Sequence, residues 1–321
     1  MTILQNSRFL RSQLSAHVKQ KSNKKKQHLS REDDSLPEIV SGKLTMSTLK
    51  VIKNRIRSVN NTKKITQTMR LVSAAKYARA ERELLAVRSA GQGTQRFFER
   101  AEISPPSEAE SRLIVSLSGD RGLCGAIHSG IAKAVGAVVR STPESRETTK
   151  LVCVGEKNRV ILSRSYAESI IWVATEIGKK PLTFIDAGLV AQRILETVDE
   201  RKFSRTQIYY NKFVNAAVYS VASTDLFDRT AVYAGSKFLL YDMIDDETID
   251  CWLEFGAAAT IYWMMNEAAT SEHSARMTAM ENATRSASDM IRQLTLRYNR
   301  TRQAVITKEL IEIISGASAV E

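Results

Sequence analysis

Two long tracts free of Gly and Pro frame the chain, and their apolar positions recur at helical spacing. The C-terminal tract runs from Ala257 to Ser315, between Gly256 and Gly316, and is rich in Ala, Met, Leu, Arg and Glu. These residues lose little rotamer freedom in a helix, and Gly is a common stop signal. Ile291, Leu294, Tyr298 and Val305 repeat at three, four and seven, the spacing of a coiled-coil seam. Ile306, Leu310 and Ile313 begin a second stripe, separated from the first by the polar run Arg297, Asn299, Arg300, Thr301 and Arg302. The N-terminal tract runs from Ser47, a plausible N-cap, to Ala90, with Gly91 and Gly93 expected to end it. Its stripes are Ile52, Ile56 and Val59, then Ile65, Met69 and Val72, with a phase slip between them.

Helices of 59 and 44 residues would be on the order of 85 and 65 Å long at ~1.5 Å per residue. A single globular core does not cover such rods, so each needs a partner helix or a sheath of other chains. The plainer alternative is a helix inside a large bundle. If the two rods pair, they run antiparallel, and the difference of 15 residues predicts a single-helix tip of ~20 Å.

Between the tracts the period changes. Arg112 to Ser118, Lys150 to Val154 and Ser169 to Val173 are short apolar runs that read as buried strands, and Gln207 to Phe213 and Ala216 to Val221 alternate like strands. Helical stretches are predicted from Leu123 to Val139, Glu156 to Tyr166 and Ile185 to Val198. This alternation predicts a small α/β domain from about Arg112 to Val221. Asp225 to Asp250 is less clear, and the acids from Asp242 to Asp250 suggest an exposed connection.

Charge adds a further constraint. The formal net charge is +12, which suggests an acidic partner. Nine cations, Lys50, Lys53, Arg55, Arg57, Lys63, Lys64, Arg70, Lys76 and Arg79, precede the first acid of the N-terminal tract, Glu81. Residues 1 to 31 carry eight cations and no acid, with Ile3, Leu4, Phe9, Leu10 and Leu14 available for one side of a short helix. This is the pattern of a mitochondrial transit peptide; a basic tail that stays attached is the alternative. Arg31 to Gly42, with Pro37 and four acids, reads as a linker, and the mature chain is expected to begin near Met46.

Candidate chemistry is sparse. Cys124, Cys153 and Cys251 lie far apart without a CxxC pair, which reads as structural thiols and not as a zinc site. The loop from Gly119 to Gly125 follows a strand and opens a helix, where a phosphate could sit, but its spacing is GxxGxxG and no Walker lysine follows. The alternative is a tight strand-to-helix turn exposing Asp120 and Arg121. Asp245, Asp246 and Glu247 read as a solvated face. No catalytic residue, cofactor site or metal site is expected. Two other functions remain open on these residues alone: a nucleic-acid-binding coiled coil, whose binding would weaken steeply with salt, and a nucleotide-binding enzyme using the Gly119 loop.

The motifs carry a resemblance. Ile306-Thr307-Lys308-Glu309-Leu310-Ile311-Glu312 followed by Gly316-Ala317-Ser318 resembles the signature of the gamma subunit of proton-translocating ATP synthases. Ile65 to Met69, Ala74 to Arg82, Ser118 to Gly125 and Ser274 to Met280 are similar to further segments of that family, in its mitochondrial version. The resemblance covers the chain from about Ser47 to its end. It implies an α/β fold plus a long antiparallel helical coiled coil. The terminal helices (47–93 and 251–321) form a shaft, with a central Rossmann-like α/β domain (94–250) at its foot and residues 1–46 as transit peptide and linker. It implies a central rotor with no active site and no cofactor of its own. The rotor turns inside a hexamer of alpha and beta subunits, contacts the delta and epsilon subunits of the mitochondrial stalk, and joins a membrane rotor ring, with no nucleic acid among its partners. The implied location is the matrix side of the mitochondrial inner membrane, held peripherally. Met69 resembles the methionine facing the beta-subunit lever loop. Arg276, Gln303 and Thr307 resemble the residues that bond to the ring of subunits, Glu309 belongs to the same signature, and Lys76 sits in the matched basic segment.

Overall fold

The computed structural model describes residues 46–105, 111–141, 148–178, 181–241 and 244–319. The expected transit peptide and the linker from Arg31 to Gly42 lie outside the described residues. One compact unit spans Asn54–Thr295; a second combines the described residues up to Lys53 with those from Leu296 onward.

Both long helices run further than the glycines predict. Helix α1 spans Met46–Arg100 and continues through Gly91 and Gly93. It ends where Glu102 takes a left-handed φ of 53°, with the amide of Ile103 donating to Phe98 O at 2.9 Å, a Schellman-type closure made without glycine. Gly91 is there for space: a Cβ on it would lie 2.3 Å from Trp263 Cβ. The last helix starts at Asp246, ten residues before Gly256, and runs to Ser318, beyond Gly316. The acids expected to mark a connection are therefore, from Asp246 on, its first turn, where they complement the helix dipole. A Cβ on Gly256 or Gly316 would meet nothing within 4 Å. Each costs only ~1 kcal/mol of propensity, too little to break a long helix.

Within the larger unit the sheet is made of β1 (Arg112–Leu117), β2 (Thr149–Val154), β3 (Ile170–Ala174), β4 (Arg205–Asn215) and β5 (Val218–Leu226). Its order is β3-β2-β1-β4-β5. The first four strands are parallel and β5 pairs antiparallel with β4. The intervening helices are α2 (Ile127–Ser141), α3 (Glu156–Tyr166) and α4 (Phe184–Arg201); α5 (Arg229–Tyr233) precedes the last helix, α6 (Asp246–Ser318). α2 begins four residues after Leu123, because Leu123 and Gly125 hold left-handed φ values of 65° and 66° that a helix cannot start on.

Alternate sheet residues serve two cores. Leu113, Val115, Leu117, Val152, Val154, Ile208 and Tyr210 pack with α4, with Leu84 of α1 and with Ala257 to Met265 of α6. Ile114, Leu151, Cys153 and Tyr209 point the other way, onto α2 and α3. Burial on both sides explains why the parallel strands read as continuous apolar runs. A third cluster joins Phe98, Ala101 and Ile103 to Val232, Phe238 and Ile249.

Candidate partner interface

α1 and α6 pair antiparallel within the larger unit. Thr66 Oγ1 lies 2.8 Å from Thr284 Oγ1, Arg88 reaches Glu267, and Thr94 Oγ1 lies 3.0 Å from Thr260 Oγ1, so numbers rise along one helix as they fall along the other. The inward side of α1 at this level carries Thr66 and Ser73, both buried. The expected stripe of Ile65, Met69 and Val72 does not form the seam: Ile65 and Val72 are exposed, and Met69 is half-buried. Periodicity identifies residues that share a side; it does not say whether that side meets this chain or another. Thr66 bonds across to Thr284, whereas the Ser73 hydroxyl donates to Met69 O of its own helix at 2.8 Å. On α6, Ile291 and Leu294 of the expected seam are half-buried.

The pair is locked to the sheet by a carboxylate that sequence patterns did not single out. Glu267 is 0% exposed. It accepts from Arg88 Nε at 3.0 Å and Nη2 at 2.8 Å, from Trp263 Nε1 at 3.0 Å, and from the Phe213 amide at 2.7 Å. A buried charge of this kind is tolerable only when its lone pairs are filled. The available signal was a lone acid, one turn after Trp263, in the otherwise uncharged run Ile261 to Ser271.

The Gly119 loop is packed by its own side chains. Asp120 Oδ1 accepts from the amide of Glu156 at 2.8 Å, and Oδ2 from the amide of Glu176 at 2.7 Å. The N-terminus of α3, an anion site by its dipole, is therefore occupied by this chain's own carboxylate. Ser118 Oγ accepts the amide of Asn158 at 3.3 Å. A Cβ on Gly119 would lie 1.9 Å from Glu272 Oε2, so the glycine admits α6 close to the loop. The expected exposed turn is half right: Arg121 is exposed, while Asp120 is a clamp whose partners are set by tertiary structure alone.

The six residues singled out from the sequence are placed differently from one another. Arg276 is turned into the chain, 5% exposed. It is paired with Glu272, donates to Gly122 O at 3.2 Å, and lies 3.2 Å from His273 Nδ1. This conformation leaves it little surface for a partner, and its donors are spent internally. Lys76 is half-buried nearby; desolvation, and then the charges of Arg121 and Arg276, lower its pKa. Burial pushes His273 down to about 4, so the ring is neutral at pH 7. In the smaller unit Gln303, Thr307 and Glu309 are exposed, with the Thr307 hydroxyl donating to Gln303 O at 2.9 Å. Ile306, Leu310, Ile311, Ile313 and Ile314 are exposed as well, a set of apolar side chains that the described residues do not cover. Among the described residues no His, Cys, Asp or Glu group of three could hold a metal, and no helix is long and apolar enough to cross a membrane.

Comparison with known proteins supplies the family. The family model described as ATP synthase matches residues 48–320. The mitochondrial ATP synthase subunit gamma of Drosophila melanogaster is 47% identical over 276 residues, 86% of this chain and 91% of that one.

The chain belongs to the ATP synthase gamma-subunit family.

The mitochondrial gamma subunit of the Rattus norvegicus F(1) complex is 44% identical over 275 residues, 86% of this chain and all of that one. Among solved structures, a chain of the Tetrahymena thermophila mitochondrial ATP synthase central stalk and c-ring superposes with a TM-score of 0.57 at 25% identity, over 68% of this chain and 99% of that one. A chain of the Euglena gracilis mitochondrial ATP synthase reaches a TM-score of 0.69 over 86% of this chain and 95% of that one; at 20% identity it bears on the fold alone. The gamma-family match begins at residue 48, two residues into α1.

Proposed function

We propose that this chain is the central rotor of a mitochondrial ATP synthase, coupling proton flow through a membrane rotor ring to ATP synthesis on a catalytic hexamer of alpha and beta subunits. The observation that carries this reading is the antiparallel α1–α6 pair, from Thr66–Thr284 to Thr94–Thr260, inside the span that matches the family. A pair tied by hydroxyl bonds and a buried ion pair is suited to turn as one body. Catalysis lies on the surrounding subunits, and this chain supplies asymmetry, presenting a different side to each of them. The delta and epsilon subunits and the rotor ring bind the chain, which sits on the matrix side of the inner membrane without entering it.

Half-buried Met69, flanked by exposed Ile65 and Val72, supports a contact of α1 with the beta-subunit lever loop. In this reading Lys76, half-buried two turns further along α1, meets an acid of the beta subunit. Exposed Gln303 and Glu309 can bond to the hexamer, as can Thr307 through its hydroxyl oxygen, and the apolar side chains between Ile306 and Ile314 fit an apolar sleeve. Such a sleeve offers little resistance to rotation, because apolar burial has no preferred direction. Arg276, whose donors are held by Glu272 and Gly122, holds the loop against α6 in this conformation; a bond to the hexamer requires it to leave Glu272.

The test is Met69→Lys in the assembled enzyme. A new cation beside the lever loop should lower proton pumping more than ATP hydrolysis, because it favours one rotor angle. Equal loss of both activities, or no loss, would remove α1 from the coupling contact.

A further inference from the structure

A cavity of about 90 Å³ lies between α6 and the loop after β1, lined by Ser118, His128, Asn211, Met265, Glu272 and His273 among others. Two of its lining residues carry a buried polar atom without a partner among the described residues: His128 Nδ1 and Asn211 Oδ1. His128 is 7% exposed and Asn211 2%.

The hydrogen-bonding character of both atoms is fixed by their neighbours. His128 Nε2 lies 3.1 Å from the carbonyl of Arg121. A carbonyl only accepts, so Nε2 carries the hydrogen and Nδ1 presents a lone pair. Burial lowers the pKa of His128, which keeps the ring neutral. Asn211 Nδ2 donates to the carbonyl of Ile127 at 3.4 Å. The reverse amide orientation would set oxygen against oxygen, so Oδ1 is the free end. Both orphan atoms are therefore acceptors. Each needs a hydrogen-bond donor.

This requirement selects the occupant. An anion brings only further acceptors. The charges that act on His128 have both signs, Glu272 against Arg276 and Lys157, so the surroundings do not single out an ion of either charge. Water is neutral, donates twice, and needs only ~10–15 Å³ of such space. We infer that an ordered water occupies this cavity, donating one hydrogen to His128 Nδ1 and the other to Asn211 Oδ1. Asn211 is then a junction. Its carbonyl accepts from Ser271 of α6 at 3.3 Å, its amide donates to the residue before His128 at the start of α2, and its oxygen meets the water. The long helix, β4 and the loop after β1 are joined there partly through solvent.

Two measurements test this. In a map of the assembled enzyme fine enough to show ordered solvent, a peak should lie within about 3.2 Å of both atoms, and Asn211→Leu should remove it. In nitrogen NMR of the full chain labelled at histidine, His128 should be neutral at pH 7, with hydrogen on Nε2 and Nδ1 shifted as an acceptor. The water is refuted by a dry cavity, by density too large for water, or by a hydrogen on Nδ1. If Asn211→Leu does not fold, the wild-type peak and the wild-type tautomer still decide.

Discussion

Removing the Glu267 carboxylate should be among the most damaging single changes in the chain. It is fully buried and receives four hydrogen bonds, from Arg88 (two), Trp263 and the Phe213 amide. Glu267→Ala leaves the Trp263 and Phe213 N–H groups without an acceptor, and leaves Arg88, 32% exposed, without its counter-charge. Breaking a buried ion pair from one side typically costs about 3–5 kcal/mol, a large part of a total stability of ~5–15 kcal/mol. Glu267→Gln keeps one acceptor oxygen but turns an NH₂ towards a ring of donors; about 1–3 kcal/mol is expected for the donor left unsatisfied. Arg88→Met with Glu267→Met removes both charges, so the double variant should be more stable than the two single losses summed. The assay is urea unfolding of the full chain at pH 7, followed by helical circular dichroism and by tryptophan emission. A Glu267→Ala loss below about 1 kcal/mol, or additivity of the two Met variants, would show that the carboxylate is not the lock between α1, α6 and β4.

Gly91→Ala should destabilise by about 1–3 kcal/mol, because the added methyl meets Trp263 Cβ and forces α6 away; Gly93→Ala, with nothing within 4 Å, should stabilise by about 0.5–1 kcal/mol. Equal thermal midpoints for the two would refute the close approach. Cys251 is exposed, whereas Cys124 and Cys153 are buried and burial raises both thiol pKa values, Cys124 to about 11; a maleimide at pH 7 should therefore label one thiol of the native chain and three only after unfolding. Burial depresses His273 to about 4 from 6.5, so the unfolded state binds the extra proton first. Stability should be unaffected above ~pH 6.5 and should fall by about 3 kcal/mol towards pH 4. His273→Gln should flatten that part of the curve, and an unchanged pH profile would contradict the assignment.

The elements were largely legible in the sequence, and the reason is physical. Parallel strands covered on both sides appear as runs such as Leu113 to Leu117, and α3 falls on the predicted residues, Glu156 to Tyr166. The helix ends were less legible. Gly91 looks like a stop but is a close-approach site, and Glu102 supplies the left-handed turn usually left to glycine. The interface was legible as a set of motifs, not as a surface. Thr66 and Ser73 face inward while Ile65 and Val72 face out, which no periodicity distinguishes. The burial of Arg276 and Glu267 depends on residues up to 179 positions away, so local pattern carries little trace of it.

Rotation of the chain inside the assembled enzyme tests the central claim most directly. With the catalytic hexamer fixed to a surface and a bead attached through Cys251, exposed in the first turns of α6, ATP hydrolysis should drive the bead steadily in one direction. It should stop when the chain is cross-linked to a beta subunit, and hydrolysis should stop with it. Continued ATP turnover with the bead stationary, or with the cross-link in place, would contradict the account.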